Sequence, residues 1–272
     1  MPDTTSRFQL GAIEAMTVAD EYGPMPVDRF NSIFNTADAE DLRAAFAQLE
    51  APQFSRNGLY LKTPAARVLV DTGEGRMVQN LSTAGVNPAQ IDLLIITHFH
   101  GDHINGMTDS AGAAVFPNAR VAVSQNEWTH WMSDKTLAEI GPERAQNLRK
   151  AFAPYAEAGR LDYFSDGQAI TPEIHAVLMP GHTPGMMGLS ITSGAVTLLH
   201  IADAAHVPLQ GHFLERVPRF DSLPEIASAT RRGVFERAAT NGELLFAYHF
   251  PFPGVGRVTR SSDGYDWTPL AG

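Results

Sequence analysis

The sequence predicts an α/β domain in which two β-sheets pack together and carry helices on their outer faces. Three observations predict it. Short apolar strand-like runs come first, helix-like periodicity follows, and the order repeats in the second half of the chain. Hydrophobic residues make up 44% of the 272, enough for a sizeable core. No low-complexity tract, exact repeat or linker divides the chain, and sandwiches of about 250 residues are ordinary as one domain. Residues 1–272 are therefore expected to form one domain, with a helical segment inserted near residues 36–50.

The elements follow in order. Residues 8–19 read as one or two early strands, and residues 20–31, with Gly23, Pro24 and Pro26, as a loop. Residues 37–49 place Leu42, Ala45, Phe46 and Leu49 at helical spacing, with Ala37 or Asp38 near the start. Residues 58–62 and 68–70 are strands, and the second runs into Asp71-Thr72-Gly73. A helix is expected over residues 77–84 and a buried strand over residues 91–97. Residues 121–123 form the next strand, and residues 126–132 and 137–158 are helical with a break near Gly141-Pro142. Strands over residues 174–179 and 195–201, an amphipathic helix over 224–240 and a strand over 244–248 complete the chain.

Bulk properties exclude some functions. The formal net charge is −10 with no run of Lys or Arg, which opposes nucleic-acid binding. There are no cysteines, so any metal site uses His, Asp or Glu. The first seven residues are polar, and no apolar stretch suits a signal peptide or a membrane span. No membrane association and a cytoplasmic location are the expectations.

The chemistry concentrates in Thr97-His98-Phe99-His100-Gly101-Asp102-His103, at the end of an apolar run. In an extended segment, residues two apart point the same way. His98 and His100 can therefore grip one metal together. After Gly101 the chain can turn, so Asp102 and His103 can face a second metal. Asp71, after a buried strand, can orient a ligand by accepting an imidazole proton.

This segment resembles the HxHxDH signature of the metallo-β-lactamase superfamily. Further resemblances cover most of the chain: Leu69-Val70-Asp71-Thr72-Gly73, Gly181-His182-Thr183-Pro184-Gly185, Ala202-Asp203 with alanine where the family has glycine, and His249. The resemblance implies an αββα sandwich of two mixed sheets with outer helices, and a site at one edge for two divalent metal ions. It implies that His98, His100 and His182 bind the first metal, that Asp102, His103 and His249 bind the second, and that Asp203 bridges them. Zinc is the default for imidazole and carboxylate ligands, with iron, manganese and cobalt open.

Within the superfamily, Phe116-Pro117-Asn118-Ala119, Gln125-Asn126-Glu127-Trp128 and Phe252-Pro253-Gly254-Val255-Gly256 are similar to the methyl parathion hydrolase and N-acyl-homoserine lactone lactonase group. Met186 departs from that group's usual histidine. The resemblance implies hydrolysis of a small, partly apolar lactone or carboxylic ester by a metal-bridging hydroxide, with Asp102 or Asp203 relaying the proton. Phosphotriester hydrolysis is the alternative, and a non-catalytic binding protein on the same fold stands behind both. His206 stands where related lactonases place a substrate-facing tyrosine, so it is either a hydrogen-bond donor to substrate or structural. His200 and His175 read as structural, His130 and His212 as surface or loop residues. Phe99, Met186, Met187, Phe213 and Phe250 lie in or beside ligand loops and are the expected pocket lining. The expected partner is a small-molecule substrate, and relatives often dimerise, so a homodimer is compatible.

Overall fold

A computed structural model describes residues 3–34 and 39–270. The first sheet holds β1 (Thr5–Leu10), β2 (Ile13–Pro24), β3 (Gln53–Lys62), β4 (Arg67–Val70), β5 (Leu93–Ile96), β6 (Arg120–Ser124) and β7 (Leu161–Phe164), in that order. The second holds β8 (Ile174–Leu178), β9 (Met187–Ser193), β10 (Val196–His200), β11 (Leu244–Phe246), β12 (Val255–Arg260) and β13 (Tyr265–Pro269), in chain order across the sheet. Both are mixed. Strands β1 to β4 pair antiparallel and β4 to β7 parallel; in the second sheet only β10 and β11 are parallel.

Parallel neighbours need long crossovers, and the helices supply them. In chain order these are α1 (Val27–Ile33), α2 (Glu40–Phe46), α3 (Arg76–Thr83), α4 (Gly101–Ile104), α5 (Gln125–Trp131), α6 (Asp134–Glu139), α7 (Pro142–Glu157) and α8 (Pro224–Asn241). Helix α3 links β4 to β5, α4 links β5 to β6, α5 to α7 link β6 to β7, and α8 links β10 to β11.

The two-residue period of the strands divides the core into layers. Val68, Val70, Ile95 and Ala122 meet Met187, Leu189, Leu198, Leu244 and Phe246 between the sheets. Their alternates Leu69, Leu94, Ile96, Val121 and Val123 face outward under α3 and α7, where Leu81, Leu148, Phe152 and Tyr155 cover them. Leu199 and Leu245 face α8 and its Val234, Phe235 and Ala238. This is an αββα sandwich, and strands covered on both faces explain continuous apolar runs such as Leu93-Leu94-Ile95-Ile96.

The chain departs from the sequence expectation in several places. Residues 20–31 are not a loop: β2 continues through Gly23 and Pro24, paired with Phe54 and Gln53, and α1 begins after Pro26. Gly and Pro sit at the end of a strand and at a helix start, where each is tolerated. The expected helix over 37–49 is described as Glu40–Phe46, while Ala37 and Asp38 lie outside the described residues. Strands β7, β9, β12 and β13 lack an apolar run because they carry polar residues or Gly188 and Gly256. Helices α1 and α2 share a small core of Met25, Phe30, Phe34, Leu42 and Phe46 with Val207, beside the strand ends that carry the histidines. Among the described residues, no helix is long and apolar enough to cross a membrane.

Candidate metal centre

The histidine cluster forms where β5, β10 and β11 end. Strand β5 delivers Thr97, whose backbone N–H and hydroxyl bond the Asp71 carboxylate at 2.9 Å and 2.9–3.1 Å. Asp71 follows β4 with φ +60°, a left-handed conformation that Asp adopts more readily than most residues. Its second oxygen accepts His103 Nδ1–H at 2.8 Å. Thr72 donates from both backbone and hydroxyl to the His103 carbonyl at 2.9 Å. The Asp71-Thr72 turn therefore fixes both ends of the histidine segment before any ion is added.

His98 Nε2, His100 Nδ1 and His182 Nε2 converge. His100 Nδ1 lies 3.2 Å from His98 Nε2 and 2.9 Å from His182 Nε2. His182 is aimed by Asp221, which accepts its Nδ1–H at 2.8 Å and is itself paired with the buried Arg231 at 3.0 Å. His249 Nε2 lies 3.6 Å from Asp102 Oδ2, His103 Nε2 4.0 Å from the same oxygen, and the three side chains form a second ligand group. Asp203 stands between the groups: Oδ1 is 3.3 Å from His103 Nε2, while Oδ2 is 3.0 Å from His249 Nε2 and 3.4 Å from His182 Nε2. His206 joins them, with Nε2 3.4 Å from Asp203 Oδ2 and its ring stacked on His249 at 4.9 Å.

Asp203 is delivered by a strained turn. Ala202 has φ +47°, where a Cβ costs roughly 1–2 kcal/mol. The turn is held by His200, whose Nδ1 accepts the Ala202 N–H at 3.2 Å. His200 is buried and outside the cluster.

The donor set fits divalent ions. His103 Nε2 and Asp203 Oδ1 are buried and make no hydrogen bond, a costly state unless a partner such as a cation occupies the gap. Burial, then the neighbouring imidazoles, hold His98 and His100 well below the usual histidine range, so both offer neutral nitrogens. Burial works against protonation of His103 too, but the carboxylates of Asp203, Asp71 and Asp102 outweigh it and hold His103 well above its usual value. Burial opposes ionisation of Asp203 as well; His249 and His103 overcome it and keep the carboxylate charged. Metal-free, the centre thus holds a proton on His103 that a dication would displace.

A cavity of about 450 Å³ opens over this cluster. Its floor is His100, Asp102, His182, Asp203, His206 and His249, and its walls include Met25, Arg29 and Ile33 from the α1 region, Phe54, Arg56 and Phe220. Arg56 is held by Glu21 at 3.2 Å, Asp102 at 3.5 Å and Glu74 at 3.6 Å. A neighbouring cavity of about 540 Å³, lined by Phe99, Ile104, Trp131, Ile140 and Leu148 among others, shares Gly101 and Arg144 with the first.

All seven sequence-derived ligands come together, with His206 beside them. The expected pocket lining does not line the cavity over the histidines, and this is a correction. Met186, Met187 and Phe250 are fully buried in the core, and Phe213 packs beside α1 and α2. Phe99 is buried against Trp128 and Phe152 and borders only the neighbouring cavity. It alternates with His98 and His100 in an extended segment and so faces away from their metal side. The actual wall residues lie far from the ligands in sequence, and Asp221 and Glu127 were missed as supports because no local spacing marks them.

The model of the metallo-beta-lactamase superfamily matches residues 51–255. The chain belongs to that superfamily. It is 24% identical over 181 residues to an N-acyl homoserine lactonase of Bacillus thuringiensis, which covers 65% of this chain and 63% of the lactonase. The chain thus spans less than two thirds of that curated relative. Among solved structures, a hydrolase of the beta lactamase superfamily, AbOPH, superposes with TM-score 0.88 at 26% identity, covering 100% of this chain and 99% of that one. AidC, a dizinc quorum-quenching lactonase in complex with a product, superposes with TM-score 0.85 at 24% identity, over 99% of each chain. This superfamily member shares the αββα fold of those hydrolases.

Proposed function

We propose that this chain is a dinuclear metal-dependent hydrolase of a small, partly apolar lactone or carboxylic ester. The observation that carries the reading is Asp203, a buried carboxylate whose Oδ1 faces His103 of one group and whose Oδ2 lies between His249 of that group and His182 of the other. His98, His100 and His182 would hold one ion, Asp102, His103 and His249 the other, and Asp203 both. Two divalent ions in such a site supply a water-derived nucleophile at neutral pH and polarise a carbonyl; zinc suits the ligands.

The chain's own groups do the rest. Asp203 and Asp102 are the carboxylates of the cluster and would relay the proton released when water adds to a carbonyl. His206 presents Nε2 to the cluster while its backbone N–H is anchored on Gln210 at 2.7 Å. From there an N–H can donate to the leaving oxygen as the C–O bond breaks. Met25, Ile33, Phe54 and Phe220 give one side of the cavity an apolar wall, and the adjoining cavity beyond Gly101 offers Phe99, Ile104, Trp131, Ile140 and Leu148 to a substrate tail, beside the polar Asn105, Glu143, Arg144 and Asn147.

Steady-state rates of the zinc-loaded protein on acyl-homoserine lactones, δ-lactones, aryl esters, a phosphotriester and a β-lactam test this. Lactones or carboxylic esters should turn over best, with chelator-sensitive rates. A phosphotriester turned over faster than every lactone and ester would overturn the substrate class. Fewer than two metals per chain at full activity would overturn the dinuclear centre.

A further inference from the structure

Glu127 is fully buried near the start of α5, with no cation among the groups bonded to it. An isolated buried carboxylate is expensive, yet this one has all its partners arranged as donors. Oε1 accepts the Phe99 backbone N–H at 3.1 Å and the Trp131 indole N–H at 2.6 Å. Oε2 accepts the Thr183 hydroxyl at 2.7 Å and the Gly185 backbone N–H at 3.0 Å. Phe99 lies between His98 and His100; Thr183 follows His182 directly and Gly185 closes the same loop after Pro184. One carboxylate therefore spans the two segments that carry the three converging histidines.

A second observation points the same way. The His182 loop runs so close to α5 that a Cβ on Gly185 would lie 2.1 Å from the Glu127 backbone nitrogen. Only a glycine lets the loop reach this carboxylate. The loop also ties to the strand end through Met187 N–H to the Thr97 carbonyl at 2.8 Å.

We propose that Glu127 is a positioning residue that sets the spacing of the first metal's three ligands by cross-tying the His98–His100 segment to the His182 loop. The proposal rests on the reading that those three histidines hold one metal. Charge matters as well as shape. Four donors require an acceptor-only group. Glutamine keeps the shape but turns an NH₂ toward two donors, so one segment loses its tie. Burial pushes the Glu127 carboxyl up to about 7 despite these donors, so the anion is held at a cost. That cost suits a group retained for placement of the loops.

The test uses the full chain loaded with Co²⁺, read by its visible absorption and by competition with a chelator. Supporting groups of metal ligands are worth about 10–100-fold in metal affinity. Glu127→Gln should lose about that much at one position and leave the other unchanged. The weakened position should be the one that survives in His249→Ala protein. Thr183→Val removes a single tie and should weaken the same position by a smaller factor; it decides the matter if Glu127→Gln does not fold. Wild type that binds no Co²⁺ overturns the metal reading and the proposal together. Wild type that binds Co²⁺, with Thr183→Val and any folded Glu127→Gln binding equally tightly, overturns the positioning role alone. Equal weakening of both positions also overturns it, because a general loss of structure would do the same.

Discussion

Replacing Asp221 by asparagine isolates the support behind His182. One Asp221 oxygen accepts His182 Nδ1–H at 2.8 Å and the other accepts Arg231 Nη2–H at 3.0 Å. Asp221 and Arg231 are both buried. Asparagine has the same shape but only one acceptor oxygen, so in either rotamer an NH₂ faces a donor. Removing one partner of a buried ion pair costs about 3–5 kcal/mol. Arg231 keeps its bonds to the Ala204 and Leu214 carbonyls, both at 2.8 Å, which places the cost near the lower end, about 3 kcal/mol. With an unfolding entropy of about 2.1 cal/mol/K per residue over the chain, that corresponds to a fall in Tm of about 5 °C. The assay is thermal unfolding of the metal-free protein, so that bound metal does not mask the change. Asp221→Ala frees the imidazole as well and should also lower affinity for one metal by about 10–100-fold. An Asp221→Asn Tm within about 1 °C of wild type, with unchanged metal affinity in Asp221→Ala, would refute the assigned linkage; a loss that small is typical of exposed pairs.

Asp203→Asn should bind fewer than two metals per chain or lose most activity, since a neutral amide bridges two dications poorly; full metal content by elemental analysis with full activity would count against the bridge. His206→Ala should retain both metals but lower kcat for a lactone by about 10²–10⁴-fold, with a smaller loss for an aryl ester whose leaving group needs less protonation; equal losses on the two substrates would remove the donor role. The Glu127 carboxyl, raised to about 7, predicts the sign of a pH effect on the metal-free chain. The folded form binds this proton more tightly than the unfolded form, so its stabilising contribution is complete below the ordinary carboxyl range and is lost as pH rises through about 7, by at most about 1.4 kcal/mol per pH unit. Wild-type stability relative to Glu127→Gln should therefore fall between pH 5 and 8, and parallel urea-denaturation curves across that range would contradict it.

The fold and the convergence of the seven candidate ligands were legible in the sequence because they depend on local order. A strand buried on both faces is an apolar run whatever surrounds it, so Leu93–Ile96 and the histidines after it could be placed together. Asp71 was legible for the same reason, since it caps the neighbouring strand β4 and its partner Thr97 caps β5. Asp221 and Glu127 were not. Asp221 meets His182 across 39 residues, and Glu127 meets Phe99 across 28 and Gly185 across 58. Those distances close only when α5, α8 and the strand ends are already packed, and no spacing encodes that.

The pocket lining failed for a different reason, one the sequence does contain. Proximity in the chain to a candidate ligand does not give proximity to substrate, because a strand aims neighbours in opposite directions. Phe99, between two histidines on one face, must point to the other, and there it packs under α5 and α7 through Trp128 and Phe152. Met187 opens β9 on the face toward the first sheet, and Phe250 lies beyond His249 against Trp267. The space in front of the histidines is left to segments that cross it from elsewhere, α1 and residues 218–221, joined through Arg219 N–H to the Ile33 carbonyl at 2.9 Å. Phe220 on that crossing is exposed at the cavity and adjoins Asp221, the residue that aims His182. Phe220 in the cavity wall is thus one peptide bond and one hydrogen bond from His182, so on the proposed function the same segment would both border the substrate and place a metal-binding histidine.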